Sequence, residues 1–96
     1  MRHRICQDVS GFRTIAQDTL AFVNAGKLED AKTRIADLEH DWDAAEGRLK
    51  SMNSTKWTEV DGAIDKALRQ LRSVSPNPRG CKSALEALVA TIDADR

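Results

Sequence analysis

The acidic side chains around His40 are the residues of this sequence best suited to chemistry. Residues 37–46 contain five carboxylates and no lysine or arginine. Asp37 and Asp43 each lie three residues from His40, so a helix places all three side chains on neighbouring turns of one face. Carboxylate and imidazole groups are common ligands of divalent metal ions. The spacing therefore predicts a small metal site formed by Asp37, His40 and Asp43.

A di-iron centre would require more residues than this acidic band contains. Such centres in helical bundles use two Glu-x-x-His pairs and two further inward-facing glutamates. The band has one histidine, and Asp37-x-x-His40 matches the pair imperfectly. A solvated helix face explains a run of charges equally simply. We therefore predict no cofactor and keep a weak metal site as the alternative to a metal-free protein.

Five cations without an intervening acid follow later in the chain. They are Lys66, Arg69, Arg72, Arg79 and Lys82. Segregated positive charge suits an acidic protein partner. Cations in the last turn of a helix also stabilise the helix macrodipole, which would explain Arg69 and Arg72 without any partner. Nucleic acid is a poor fit, because no aromatic residue is interleaved with these cations.

Catalytic motifs are not found in the sequence. It contains no G-x-S-x-G, no phosphate-binding loop and no H-E-x-x-H. Cys81 falls in the first turn of a predicted helix, where the helix dipole lowers a thiol pKa. Its position among apolar residues favours burial as a small hydrophobic side chain instead. Asp61 and Asp65 are predicted to be exposed, without a pocket to separate their pKa values. We predict that the chain is not an enzyme.

Four amphipathic helices must position these side chains. Apolar residues recur at spacings of three and four, which predicts helices at about 6–24, 27–51, 55–74 and 78–94. Gly26 marks a helix end, Asn53 a helix start, and Asn77 with Pro78 a further start. The apolar seam of the second helix is the most regular one. It consists of Leu28, Ala31, Ile35, Leu38, Trp42, Ala45, Leu49 and Met52.

Short connections between these helices predict an all-α, single antiparallel up-down bundle over residues 1–96. Three long helices with a looser first helix are the alternative. Residues 1–5 are expected to be frayed. Cys6 and Cys81 begin the first and fourth helices, at opposite ends of such a bundle, so we expect no disulfide between them. Trp42 is predicted to face Gly62 and Ala63 in the core.

Composition limits the classes of function. The chain has 96 residues, with fifteen Lys and Arg against fifteen Asp and Glu, which suits one globular domain. Aromatic residues make up only 4%, too few for a stacking platform for nucleic acid. No apolar run approaches the roughly 20 residues that span a bilayer, and we predict no signal peptide. The localisation stays open, since the chain could be the soluble part of an exported or membrane-attached protein.

Helix surfaces are the remaining candidates for function. The seam of the second helix is long enough to pack within the bundle or across a homodimer. Ile15 and Phe22 lie beside the main apolar stripe of the first helix and are predicted to face a partner.

Two segments of the chain resemble a family of small uncharacterised bacterial helical domains, over about residues 20–92. The segments are AKxRIxDLExxWDxAExxL from Ala31 and KWxxxDxxIDxAL from Lys56. Members of this family are sometimes described as histidine kinases, but this chain has no ATP-binding motif and His40 has no catalytic domain beside it. The resemblance implies membrane attachment or export and assigns no functional residues. The sequence thus predicts a non-enzymatic interaction or sensory module of a bacterial envelope or signalling system, acting through an unidentified protein partner.

Overall fold

The computed structural model describes the backbone of residues 4–94 and the side chains from residue 11 to residue 94. It contains four helices, α1 (Arg4–Asn24), α2 (Leu28–Met52), α3 (Ser54–Leu71) and α4 (Pro78–Asp93). No strand occurs among these residues. The all-α class is confirmed, and most helix ends lie within two residues of their predicted positions. The expected fraying of residues 1–5 falls largely outside the described residues, although Arg4 and Ile5 already belong to α1.

Local sequence signals explain where the helices begin and end. Gly26 adopts a φ of 77° after α1, a conformation that glycine accepts without steric cost. The N–H of Lys27 then donates to the carbonyl of Phe22 at 2.8 Å, which closes α1 with a Schellman motif. The side-chain oxygen of Asn53 accepts from the N–H of Lys56 at the start of α3. Asn77 caps α4 in the same way, with Pro78 in the first turn.

The end of α3 differs from its predicted position. α3 ends at Leu71 rather than at residue 74, and Val74 is fully exposed in the connection to α4. Val74 continues the apolar spacing of α3 in the sequence, but Pro76 and Pro78 follow closely. Proline restricts the residue before it to extended conformations and cannot donate a helical hydrogen bond. The chain therefore leaves the helix before Val74 can join the core.

The four helices form an antiparallel bundle in which each helix contacts two neighbours. α1 packs against α2 and α4, and α3 packs against the same two helices on the opposite side. The seam of α2 faces inward and is buried from Ala31 to Leu49, so it serves this bundle. The apolar residues of α4 that recur at spacings of three and four in the sequence are also buried. These residues are Cys81, Leu85, Leu88 and Ile92.

Phe12, Ala16 and Val23 follow the apolar spacing of α1 and are buried, but the inward face of the helix is wider than this stripe. Ile15 is buried in the core, and Phe22 is half-buried against it, so the predicted partner-facing patch is wrong. Thr19 is also completely buried on this face, whereas Leu20 is only partly buried. The Thr19 hydroxyl donates to the carbonyl of Ile15 at 2.8 Å, which satisfies its polar group inside an apolar core.

An aromatic cluster fills the interior where α1, α2 and α3 meet. Trp42 is 2% exposed, and its ring forms a T-shaped pair with Phe12, with 5.2 Å between the ring centroids. The Trp57 ring stacks on Trp42 at 5.7 Å. The Trp42 N–H donates to a carboxylate oxygen of Asp61 at 3.1 Å. The predicted packing of Trp42 against Gly62 is wrong, because Gly62 is exposed and open space lies where its Cβ would be. The prediction that Trp42 packs in the core is confirmed.

Within residues 4–94, none of the helices has both the length and the apolar character required to cross a membrane.

Candidate functional site

The carboxylates of the acidic band are distributed over several directions and do not converge on one point. Asp37 accepts from Arg34 at 3.0 Å, and Asp18 of α1 also accepts from Arg34 at 2.9 Å. Hydrogen bonds from Arg34 to Asp37 first, and to Asp18 second, raise the pKa of Arg34 above its ordinary value. Glu39 accepts from Arg72 at 2.8 Å, across the α2–α3 interface. Part of the band therefore serves ion pairs within the bundle.

His40 lies in solvent, apart from the other two predicted metal ligands. Its side chain is 85% exposed, and its closest acidic contact is Asp41, with 3.4 Å between Nδ1 and Oδ1. Asp37 is engaged by Arg34, and Asp43 is exposed. Among the residues that the structure describes, no three His, Cys, Asp or Glu side chains are placed to hold a metal ion. The predicted site of Asp37, His40 and Asp43 therefore gains no geometric support.

Asp61 differs from the exposed carboxylate that the sequence suggested. It is half-buried on α3, where its carboxylate accepts the hydrogen bond from Trp42. Desolvation by burial raises the pKa of Asp61, and the negative charges of Asp65, Asp43 and Glu46 raise it further. The Trp42 hydrogen bond opposes these effects, because it stabilises the charged form. The raised pKa means that Asp61 is held in an unfavourable environment for its charge.

Replacing Asp61 with asparagine should stabilise the fold at pH 7. Asparagine keeps an acceptor for the Trp42 N–H but removes the desolvated charge and its repulsions. Since like-charge pairs each cost a few tenths of a kcal/mol, we expect the free energy of unfolding to rise by up to about 1 kcal/mol. Folding raises the pKa of Asp61. At a pH just above the ordinary pKa of aspartate, the folded chain therefore binds more protons than the unfolded chain. The wild type therefore loses stability as the pH rises through this window, and then reaches a plateau.

Urea unfolding of the wild type and Asp61→Asn between pH 4 and pH 7.5 measures this difference. The advantage of the variant should grow as the pH rises through the acidic range. Glu86→Gln is the control, because Glu86 is exposed and has no ion pair within the described part of the chain. A wild type more stable than Asp61→Asn at pH 7 would show that the Trp42 bond to the charged carboxylate dominates.

The five predicted partner-binding cations are divided between different surfaces. Lys66 lies in the groove between α3 and α4, next to Gly62 and Ala63. Arg69 and Arg72 lie instead on the side of α3 that faces α2. Arg79 and Lys82 are exposed on the first turns of α4. The five residues thus do not form one continuous patch, although four of them lie at the same end of the bundle.

That end of the bundle contains the connection between α3 and α4. We call it the basic end and define it by four exposed residues, Arg69, Val74, Arg79 and Lys82. The Gln70 side chain lies against Gly80, which brings the end of α3 beside the start of α4. Arg72 is paired with Glu39, but Arg69, Arg79 and Lys82 have no ion pair within residues 11–94. The basic end thus combines uncompensated cations with one protruding apolar side chain.

The remaining candidate nucleophile, Cys81, is unsuited to reaction. It is completely buried and free. Desolvation raises the pKa of the Cys81 thiol, which disfavours the reactive thiolate. The prediction that Cys81 packs as a small hydrophobic residue is confirmed. The side chain of Cys6 lies outside the described residues.

Lys56 is a buried polar residue that the sequence analysis missed. Its ammonium group donates to the carbonyl of Thr91 near the C-terminus of α4, where helix carbonyls lack partners. Lys56 carries no recognisable signal, since its burial depends on how α4 ends beside α3. This hydrogen bond links α3 to α4 at the end of the bundle opposite the basic end.

A surface groove with a volume of about 640 Å³ runs between α1 and α2. It is open to solvent, and its charged lining is already committed in part, because Arg34 pairs with Asp18 and Asp37. We find no arrangement of nucleophile, base and orienting group along it.

Comparison of the chain with family models, with curated protein sequences and with solved structures finds no match. The resemblance to small bacterial helical domains thus stays a prediction.

Proposed function

We propose that this chain is a non-catalytic interaction module, belonging to a bacterial envelope or signalling system, whose basic end binds an acidic segment of a partner protein. The supporting observation is that the fully exposed Val74 lies in the connection between α3 and α4, whose adjoining helix ends contain Arg69, Arg79 and Lys82, cations without ion pairs within the described residues. An exposed valine gains free energy when a partner covers it, and the cations select acidic partners.

The position of the basic end also favours binding without disturbance of the fold. Val74 contributes nothing to the core, and Arg69, Arg79 and Lys82 are exposed. α4 begins beside them with its first N–H groups capped by Asn77. The cations Arg69, Arg79 and Lys82 therefore lie on helices on either side of the connection that contains Val74, and ordered helices reduce the entropy lost on binding.

The partner segment should combine acidic residues with an apolar one. Cations attract acidic segments over about a Debye length, which speeds association at low salt. A short-range contact with Val74 then requires an apolar side chain between the acids. Binding should accordingly weaken as the salt concentration rises, and more so for peptides of higher negative charge.

A labelled peptide of alternating glutamate and leucine tests the proposal by fluorescence anisotropy. The triple variant Arg69→Gln, Arg79→Gln and Lys82→Gln should weaken binding about tenfold or more, because exposed charge pairs contribute a few tenths to one kcal/mol each. Val74→Ser should weaken binding by a smaller factor, with less effect of salt.

The matched control changes the net charge equally on another surface. Ala36→Glu, Ala44→Glu and Ser51→Glu introduce three negative charges at exposed positions of α2. This control should retain most of the binding if the location of the cations matters. An equal loss in both triple variants would instead indicate attraction to overall charge, and unchanged binding in the glutamine variant would contradict the proposal.

A further inference from the structure

The surface groove between α3 and α4 is distinguished by the small size of its side chains. It has a volume of about 270 Å³ and is lined mainly by small residues, with one acid and one base. The exposed residues of α2 include many charges, whereas the outer face of α4 contains Ser83, Ala87 and Ala90 beside the one acid Glu86. The lining of the groove itself therefore contains only two charged side chains, Glu59 and Lys66.

The two charges are arranged so that the groove is complementary to itself. Glu59 lies three residues before Gly62, and Lys66 lies three residues after Ala63. Both side chains are exposed, and neither has an ion pair within the part of the chain that the structure describes. A two-fold axis through Gly62 and Ala63 would place Glu59 of each copy opposite Lys66 of the other. An isologous contact requires this type of self-complementarity.

Packing within the bundle does not explain why residue 62 is a glycine. It lies in the middle of α3, where glycine is a poorer helix former than alanine. A Cβ atom at this position would meet nothing within 4 Å, so packing inside the described chain does not require glycine. The absence of a side chain does, however, allow the backbone of another helix to approach closely.

We infer that this chain forms a homodimer through the α3–α4 groove, with α3 of the two copies crossing antiparallel at Gly62 and Ala63. Two reciprocal ion pairs, each between Glu59 and Lys66 of different copies, fix the register. A second copy is the occupant that the groove fits, because the same surface supplies the acid and the base. This inference goes beyond the proposed function and uses other residues than the basic end.

A charge exchange tests the register directly. Sedimentation velocity over about 1 µM to 1 mM covers the range in which weak interfaces dissociate. The wild type should show a monomer–dimer equilibrium, and Glu59→Lys should raise the dimer Kd about tenfold or more, because it opposes like charges twice. The double variant Glu59→Lys and Lys66→Glu should restore the dimer Kd to near the wild-type value, since it recreates both pairs in reverse.

A steric variant tests the crossing point independently of charge. Gly62→Gln should also weaken the dimer, because its side chain separates the two α3 helices. Gly47→Gln is the control, since Gly47 is equally open but lies on α2. It should leave the dimer unchanged. A wild type that stays monomeric throughout this range would overturn the inference. A dimer insensitive to Glu59→Lys and Gly62→Gln would likewise overturn it, and circular dichroism verifies that each variant is folded.

Discussion

Trp42→Ala should be among the most destabilising single substitutions in this chain, with a loss of about 3–5 kcal/mol in the free energy of unfolding. Small domains are stable by only about 5–15 kcal/mol, so the variant should be close to unfolding at room temperature. Trp42 supplies three interactions together. Its ring contacts Phe12 and Trp57, and its N–H binds Asp61. Alanine leaves a cavity and removes the donor that faces Asp61.

Urea unfolding followed by circular dichroism measures this loss. Trp42→Phe should cost less than Trp42→Ala, because phenylalanine refills part of the space but leaves Asp61 without the indole donor. His40→Ala is the control on the same helix and should change stability by no more than about 0.5 kcal/mol, since His40 lies in solvent. A small effect of Trp42→Ala would mean that the aromatic cluster is not the centre of the core.

The agreement between sequence and structure is best where one helix face alone determines burial. In α2, spacings of three and four identified all six buried residues, and only the two seam residues nearest the helix ends are partly or largely exposed. Leu28 is half-buried, and Met52 is 38% exposed. α4 shows the same agreement, because its apolar residues form one narrow stripe. Periodicity thus determines the inward direction of a helix whose polar residues mark the opposite face.

Periodicity was insufficient for α1, where apolar residues lie on more than one side. The stripe with Phe12, Ala16 and Val23 is buried, but Ile15 beside it is buried as well, so the sequence alone did not determine the width of the inward face. Thr19 belongs to this wider face, since its side chain is completely buried and its hydroxyl donates to the carbonyl of Ile15. Threonine counts as a polar residue in the spacing of apolar residues, so the burial of Thr19 was not predicted.

The candidate sites depended on contacts between helices, which sequence spacing does not supply. Arg72 and Glu39 are 33 positions apart in the chain, yet their side chains meet at 2.8 Å. This pair removes one cation from the predicted partner-binding set and one acid from the acidic band. The Asp61 bond to Trp42 likewise depends on the register of α2 against α3. Spacing within one helix located the charges but not their partners.

Ile15→Ala should show that α1 is an integral part of the bundle, with an expected loss of about 2–5 kcal/mol. The sequence left open a bundle of three long helices with a looser first one. In that arrangement, truncating a side chain of α1 would cost little. The structure buries Ile15 to 7% exposure. It also connects α1 to both neighbours, through Arg13 with Asp93 of α4 at 2.5 Å and Asp18 with Arg34 of α2.

Equilibrium unfolding of Ile15→Ala in urea tests whether α1 is an integral part of the bundle. Gln17→Ala is the control, because Gln17 is an exposed residue of the same helix. The control should stay within about 0.5 kcal/mol of the wild type. Hydrogen exchange of the α1 amides separates the two arrangements further. If α1 unfolds with the rest, its most protected amides exchange with the global free energy of unfolding, and Ile15→Ala lowers that value throughout the bundle. If the Ile15→Ala loss were confined to the α1 amides, α1 would be a separate unit that docks on three stable helices.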